Sequence, residues 1–293
     1  MAAAKRIVVC GGSGFLGSRV CKHAVTRGWD VTSISRSGTP NWESVSGSAQ
    51  TPAWAHQVSW ESADILRPST YASLLQGATF VVHSMGILLE ADYKSLVSGK
   101  ESPLAAARRL LAGTPAAGRG VNPLEKKAGE DIKPADVKDQ LSYEVMNRDS
   151  AVALARHAAD AGVGTFCYVS ACAGAPILPS RYISTKREAE RAVTQNFPRI
   201  RSVFVRPPFM YDNSRTVTMG LAAMVGAGAY FNSLTGKMFD SLMGAAGTRP
   251  LPVETVAEAI VEALGDETVR GPIDVPEIMR LAAVKNSAKS QSV

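Results

Sequence analysis

Cysteine is scarce in this chain: Cys10, Cys21, Cys167 and Cys172 are the whole complement, with no CxxC pair and no metal-ligand spacing. That pattern excludes a disulfide-stapled scaffold and a zinc module, and it points to plain core thiols in a reducing compartment. Long apolar runs are also missing. The best candidate for a membrane span, Thr216 to Gly236, carries four glycines and several hydroxyl and amide side chains. Its solidly apolar part, Leu221 to Phe231, falls short of the ~20 residues a spanning helix needs. Only six residues precede Ile7, so no signal or transit peptide fits ahead of the first strand, and any targeting signal is expected to have been removed or to lie inside the fold. There is no internal repeat. Hydrophobic residues at 45% and charged residues at 20% are ordinary globular values, which excludes a disordered, collagen-like or coiled-coil chain.

What is present is enough chain for a full core. At ~100 to 200 residues per domain, the 293 residues allow one large α/β domain or one domain plus a smaller lobe. Thirty-two basic residues against 26 acids, net +6, suggest an acidic partner without naming one.

Strand and helix alternate along the chain, as a parallel sheet requires. Strands are predicted at Ile7 to Cys10, Val31 to Ser35, Val58 to Ile65, Phe80 to Ser84, Phe166 to Ser170 and Val203 to Arg206. Helices are predicted from Leu16 to a stop at Gly28, at Tyr143 to Ala161, at Ser184 to Gln195 and at Val253 to Leu264. The stretch from Gly38 to Pro52 reads as a Ser/Gly/Pro-rich loop. The pattern degrades over about 87–142, where Pro103, Pro115, Pro123 and Pro134 punctuate an Ala/Gly/Lys-rich stretch; an excursion of this kind reads as a surface insertion. The expected organisation is a Rossmann-like, doubly wound α/β body over 1–212, a small C-terminal substrate or interaction lobe over 213–284 and a polar tail over 285–293.

Gly11, Gly14 and Gly17 form GxxGxxG directly after the first strand and at the head of a helix that opens with Phe15 and Leu16. Glycine suits that position because the chain turns tightly, the backbone must approach a pyrophosphate and helix must pack closely on strand. The helix N-terminus then offers unpaired N–H groups to the phosphates. The second strand ends Ser35-Arg36-Ser37. An acid there would bind the ribose 2′-hydroxyl of NAD, whereas a guanidinium can pair with a 2′-phosphate, so Arg36 favours NADP(H), with NAD(H) as the alternative. The plain reading of Arg36 is a solvated surface arginine.

Tyr182-Ile-Ser-Thr-Lys186 has YxxxK spacing, which sets phenol and ammonium on one helix face where the cation can lower the phenol's pKa. Together with GxxGxxG this resembles the short-chain dehydrogenase/reductase superfamily, in its extended or atypical branch, over about residues 5 to 212. The resemblance implies Tyr182 as proton donor and Lys186 as ligand of the nicotinamide ribose. It places Asp64, followed by Ile65, beside the adenine. His83-Ser84-Met85-Gly86 takes the position of the small-residue turn after strand four, and Asn147 that of the helix asparagine. Arg206-Pro207-Pro208 resembles the turn beside the nicotinamide. Tyr182 and Lys186 can equally be an ordinary helix N-terminal pair, and Asn147 and Asp64 can be caps. One departure matters: the family's substrate-polarising serine falls where this chain has Ala171 and Cys172, so Ser170, the remaining candidate, stands one place early.

Within the superfamily, Val9 to Cys21, Val82 to Glu90 and Ser180 to Glu190 resemble fungal mitochondrial atypical dehydrogenases tied to coenzyme Q biosynthesis, and more distantly the NADPH-binding subunit of respiratory complex I. The resemblance implies a mitochondrial protein, in the matrix or on the matrix face of the inner membrane, working with other proteins in a large complex. Two functions follow. One is an NADP(H)-dependent oxidoreductase of ubiquinone biosynthesis, with Met219, Leu221, Met224, Tyr230, Phe231, Met238, Phe239 and Met243 lining an apolar pocket or touching a membrane face. The other is a nucleotide-bound, non-catalytic subunit of an assembly such as the mitoribosome or a respiratory complex. Residues 179–215 carry eight basic residues against three acids, net +5, which would suit RNA contact, although no RNA-binding fold signature accompanies them.

Overall fold

The central strands of this chain are short runs buried on both of their faces, and only a sheet covered on both sides by helices can bury such strands. The computed structural model describes residues 4–87, 120–127, 129–136, 139–172, 180–212 and 249–290. In them β1 (Arg6–Cys10), β2 (Asp30–Ser35), β3 (Val58–Ser62), β4 (Phe80–His83), β5 (Thr165–Val169), β6 (Arg201–Val205) and a further strand (Gly271–Ile273) form one parallel sheet. Two residue pairs, β7 (Met210–Tyr211) and β8 (Leu251–Pro252), make a separate parallel ladder, so the strand at 271–273 is β9 and the sheet order is β3-β2-β1-β4-β5-β6-β9. The doubly wound Rossmann-like order is the one expected from the alternating pattern.

The sheet divides the core in two. Ile7 and Val9 face α1 (Phe15–Thr26) and two C-terminal helices, whereas Val8 and Cys10 face the opposite layer. After the short α2 (Trp42–Ser46), that opposite layer is built from α3 (Ser150–Asp160) and α4 (Ser180–Asn196). The C-terminal pair is α5 (Val253–Gly265) and α6 (Val275–Ser290). Acids at positions 254, 258 and 262 fall on one stripe of α5 and meet α1: Glu254 pairs with Lys22 and His23, and Glu262 with Arg27. Cys10, Cys21 and Cys167 are buried in these layers, Cys172 is partly so, and none of the four is in a disulfide.

Several expectations are corrected by what the backbone does. The loop expected over Gly38 to Pro52 contains α2, which Asn41 caps through its side-chain oxygen, 3.0 Å from the Ser44 N–H. The helix expected from Tyr143 starts as a π-helical segment, Glu144–Asp149, before α3. Its register is loosened where side chains take the carbonyls: the Tyr168 hydroxyl donates to Asn147 O at 2.5 Å and the Ser150 hydroxyl to Met146 O at 2.9 Å. Of the lobe expected over 213–284, residues 213–248 lie outside the described residues. Residues 249–284 finish the main sheet through β9 and cover α1 through α5. The polar tail expected from 285 is helical as far as Ser290, where α6 ends.

Two pieces of the 87–142 insertion dock on the body rather than stand apart. Ile132 donates its N–H to Leu66 O at 3.0 Å and is buried. Gly120 approaches the Asp149 carboxylate so closely that a Cβ would collide with its Oδ2. Asp149 is buried, its Oδ1 accepts from Arg148 Nε at 2.7 Å, and its Oδ2 has no hydrogen-bond partner among the described residues. Burial raises this carboxyl from 3.8 to about 6, against the pull of Arg148. A raised acid favours the protonated fold: the stability it contributes is present below the unfolded pKa and is lost as pH rises through the folded one. Asp149→Asn is therefore expected to flatten a loss of about 1–3 kcal/mol between pH 4 and pH 7. Urea melts of both proteins across that range check it, and parallel curves would contradict it.

Candidate functional site

The glycine loop closes on itself through backbone alone. Gly11 N–H donates to Ile34 O at 2.8 Å and Gly14 N–H to Gly11 O at 2.9 Å. Gly11 has φ +86°, and a Cβ on Gly17 would stand 2.7 Å from the Gly11 carbonyl carbon, so neither position tolerates a side chain without moving backbone. Gly14 stands at the N-cap of α1 with no side-chain cap and no acid in the first turn. The following residues are Phe15 at the rim and buried Leu16. The helix terminus is thus left open to an anion.

Beside that loop lies a cleft lined by Arg36, Asp64, Ile65, Met85, Lys133 and Met146, among others. Ser35 is spent on the turn, its hydroxyl donating to Gly38 O at 2.9 Å. Arg36 is exposed, and its guanidinium makes no hydrogen bond or ion pair among the described residues. Asp64 does not stand free: Lys133 of the insertion is 3.1 Å from its Oδ2. Ser84 fixes the turn after β4 by donating to Cys10 O at 2.8 Å. His83, read above only as part of that turn, is fully buried. Desolvation holds it down to about 3, so it is neutral, with Nε2 2.9 Å from Ser150 Oγ and Nδ1 unpartnered among the described residues.

Three of the expected site residues converge at the next turn. A Cβ on Gly86 would stand 2.9 Å from Asn147 Oδ1 and 3.3 Å from Lys186 Nζ. Asn147 clamps Ile87, accepting its N–H at 3.0 Å and donating to its carbonyl at 3.3 Å. Lys186 is buried, donates to Val169 O at 3.1 Å and lies 5.1 Å from the Tyr168 ring centroid and 5.7 Å from that of Tyr182. Burial pulls its ammonium down to about 7, Arg187 adds to this and Glu190 opposes it. Tyr182 shares the helix face as the spacing requires. Its phenol stands above its ordinary range, raised by burial and then by Cys172 and Tyr143, with Arg187 opposing. The cation that offsets this rise is Arg187, so the YxxxK spacing does not by itself give a lowered phenol.

The remaining three expected residues, Ser170, Arg206 and Pro207, belong to a different network. Ser170 is buried and its hydroxyl accepts from Arg187 Nη1 at 2.8 Å. Arg187 Nη2 also donates to Ala171 O at 2.7 Å and Cys172 O at 3.1 Å. Arg206 turns onto Glu190, with Nε 3.1 Å from Oε1 and Nη2 2.5 Å from Oε2, while Pro207 contributes a carbonyl to Cys172 N–H at 3.0 Å. Arg187 and Glu190 are not among the residues that the sequence motifs single out. The displaced serine was the signal that something else occupies the end of β5.

The same contacts dismantle much of the basic patch. Arg181 pairs with Glu144, Arg187 and Arg206 with Glu190, and Lys186 is buried. Arg201 caps the end of α5, donating to Ala263, Leu264, Asp266 and Val269 carbonyls at 2.7–3.1 Å. Arg215 lies outside the described residues, as do Met219 to Met243, which were expected to line the apolar pocket. No helix among the described residues is long and apolar enough to cross a membrane, and no cluster among them could hold a metal ion.

A glycine turn under an open helix N-terminus, a tyrosine and lysine at the end of the sheet and the order of the strands define a fold of the short-chain dehydrogenase/reductase type. Residues 7–96 match the NAD dependent epimerase/dehydratase family. MIOREX complex component 2 of Saccharomyces cerevisiae is 39% identical over 223 residues, 72% of this chain and 74% of the relative. The chain therefore belongs to the epimerase/dehydratase branch of that superfamily. The fold is shared with a UDP-glucuronic acid 4-epimerase of Bacillus cereus in complex with NAD, at 17% identity and TM-score 0.52 over 92% of this chain and 78% of that one. It is shared too with vestitone reductase of alfalfa, at 16% identity and TM-score 0.51 over 91% of this chain and 74% of that one.

Proposed function

We propose that the protein is a dinucleotide-bound component of a large mitochondrial assembly, in the matrix or on the matrix face of the inner membrane. The observation that carries this is the end of β5: Ala171 and Cys172 stand where the superfamily has its polarising serine, and Ser170 beside them is buried with its oxygen accepting from Arg187 Nη1. A missing preorganised donor typically costs a reaction ~2.7 to 4 kcal/mol, and the raised phenol of Tyr182 adds to that deficit. The identity with a component of a named complex supports the assembly side of the reading. The nucleotide would be NADP(H), with the phosphates on the Gly11–Gly17 turn, Arg36 toward a 2′-phosphate and Lys186 toward the nicotinamide ribose. A bound nicotinamide would supply hydride transfer. NAD(H) is the alternative.

A second reading keeps catalysis: an NADP(H)-dependent oxidoreductase of ubiquinone biosynthesis, supported by Tyr182 and Lys186 meeting on one face of α4. The test is native sedimentation of the protein from mitochondria, with and without nuclease, followed by identification of its nucleotide. The expected species is far larger than the 30.9 kDa chain and carries NADP(H). A small free species under every condition, together with Tyr182-dependent turnover of a quinone-pathway intermediate, would overturn the first reading for the second.

A further inference from the structure

The cleft at the adenine end contains a residue that the glycine loop, the strand ends and the YxxxK pair do not predict. Lys133 comes from the insertion, and Ile132 beside it is anchored to the loop after β3 through Leu66 O. Its ammonium lies 3.1 Å from Asp64 Oδ2 and shares one cleft with Arg36. Without it, Asp64 would set a bare carboxylate in the cleft where a phosphate is to be held, and the two charges would repel. With it, Asp64 is neutralised and the unpaired guanidinium of Arg36 is left as the net charge. Lys133 also brings three rotatable N–H donors, of which Asp64 occupies one direction.

We propose that Lys133 is a specificity-determining residue: the insertion supplies the second cation of a site, shared with Arg36, that selects a phosphorylated adenosine ribose over an unphosphorylated one. This rests on the nucleotide-binding reading above and assigns part of that selectivity to the inserted segment. The plainer role, an ion pair that only fastens the insertion, makes a different prediction, because fastening has no preference between ligands.

Calorimetric titration of the full chain with adenosine 2′,5′-bisphosphate and with 5′-AMP separates them. Lys133→Gln and Arg36→Gln are each expected to weaken the bisphosphate about tenfold and 5′-AMP less than about twofold, with Lys133→Arg close to wild type. In the parent protein the bisphosphate affinity should also fall more steeply with salt than that of 5′-AMP. If Arg36→Gln loses the preference and Lys133→Gln keeps it, or if Lys133→Gln weakens both probes alike, Lys133 is only a fastening and the proposal fails while the NADP(H) reading stands. If the parent protein binds both probes equally, the NADP(H) reading itself fails, and the proposal with it.

Discussion

Glu190→Ala is expected to destabilise the fold by about 3 kcal/mol, the low end of what breaking a buried ion pair costs. Glu190 is 5% exposed, and its carboxylate holds two guanidiniums, Arg187 Nη1 at 2.7 Å from Oε1 and Arg206 Nη2 at 2.5 Å from Oε2. Alanine would leave two like charges facing each other, with Asp274 at 3.7 Å as the remaining partner of Arg206. Each guanidinium keeps partial contact with water, which is why the upper end of the range is not expected. The damage would spread, because Arg187 also ties down Ser170, Ala171 and Cys172 at the end of β5. Glu190 is the group that opposes the drop in the Lys186 pKa, so its loss would push that amine further down. Urea denaturation of wild type, Glu190→Gln and Glu190→Ala measures the series. A loss under about 1 kcal/mol in Glu190→Ala, typical of exposed pairs, would show that the network is solvated and not structural.

Gly17→Val is expected to abolish nucleotide binding, a loss of at least about 100-fold, and to cost about 2–4 kcal/mol of stability. The first carbon of any side chain at this position meets the Gly11 backbone, and it also comes within 2.8 Å of Ser84 Oγ, which holds the adjoining strand end. Backbone on one side and a hydrogen-bonded hydroxyl on the other leave only one accommodation, a displaced turn, and a displaced turn no longer brings its N–H groups to a pyrophosphate. Gly164→Ala is the matched control, since a Cβ there is 3.7 Å from Thr79 O, an ordinary contact. Calorimetry with NADPH and a thermal melt on each variant check the pair. Binding retained in Gly17→Val would mean that this turn does not carry the phosphates.

The body of the fold was legible because its signals are local. Continuous β-branched runs, glycine at the first turn and helical spacing after it placed the core of β1, β2, β4, β5 and β6 to within about two residues at their ends. β9 was missed since Gly271-Pro272-Ile273 has no strand character of its own. Its place is supplied by pairing with β6, a tertiary effect that overrides propensity. The site was legible where spacing alone fixes geometry, as with Tyr182 and Lys186. It was not legible where a charge depends on a partner far along the chain. Asp64 reads as a free ligand until Lys133 is placed against it, and Ser170 as a free hydroxyl until Arg187 reaches it. The net +5 of residues 179–215 suffered most, because counting charges says nothing of the carbonyls and carboxylates that absorb them.

The packing of α5 on α1 has a consequence for the order in which the molecule can assemble. The segment of α1 that bears Leu16, Val20 and Ala24 is made early, whereas its cover, Val256, Ile260 and Leu264, emerges more than two hundred residues later. During vectorial synthesis the strands around the glycine turn can pair first, yet the apolar face of α1 stays open to water until residues 253–265 are made. Closing so long a loop is slow, and an open layer of this kind is prone to association in the interim. Completion of α1's packing is thus tied to synthesis of α5, and a polypeptide interrupted before residue 253 carries a complete glycine turn on an unfinished core.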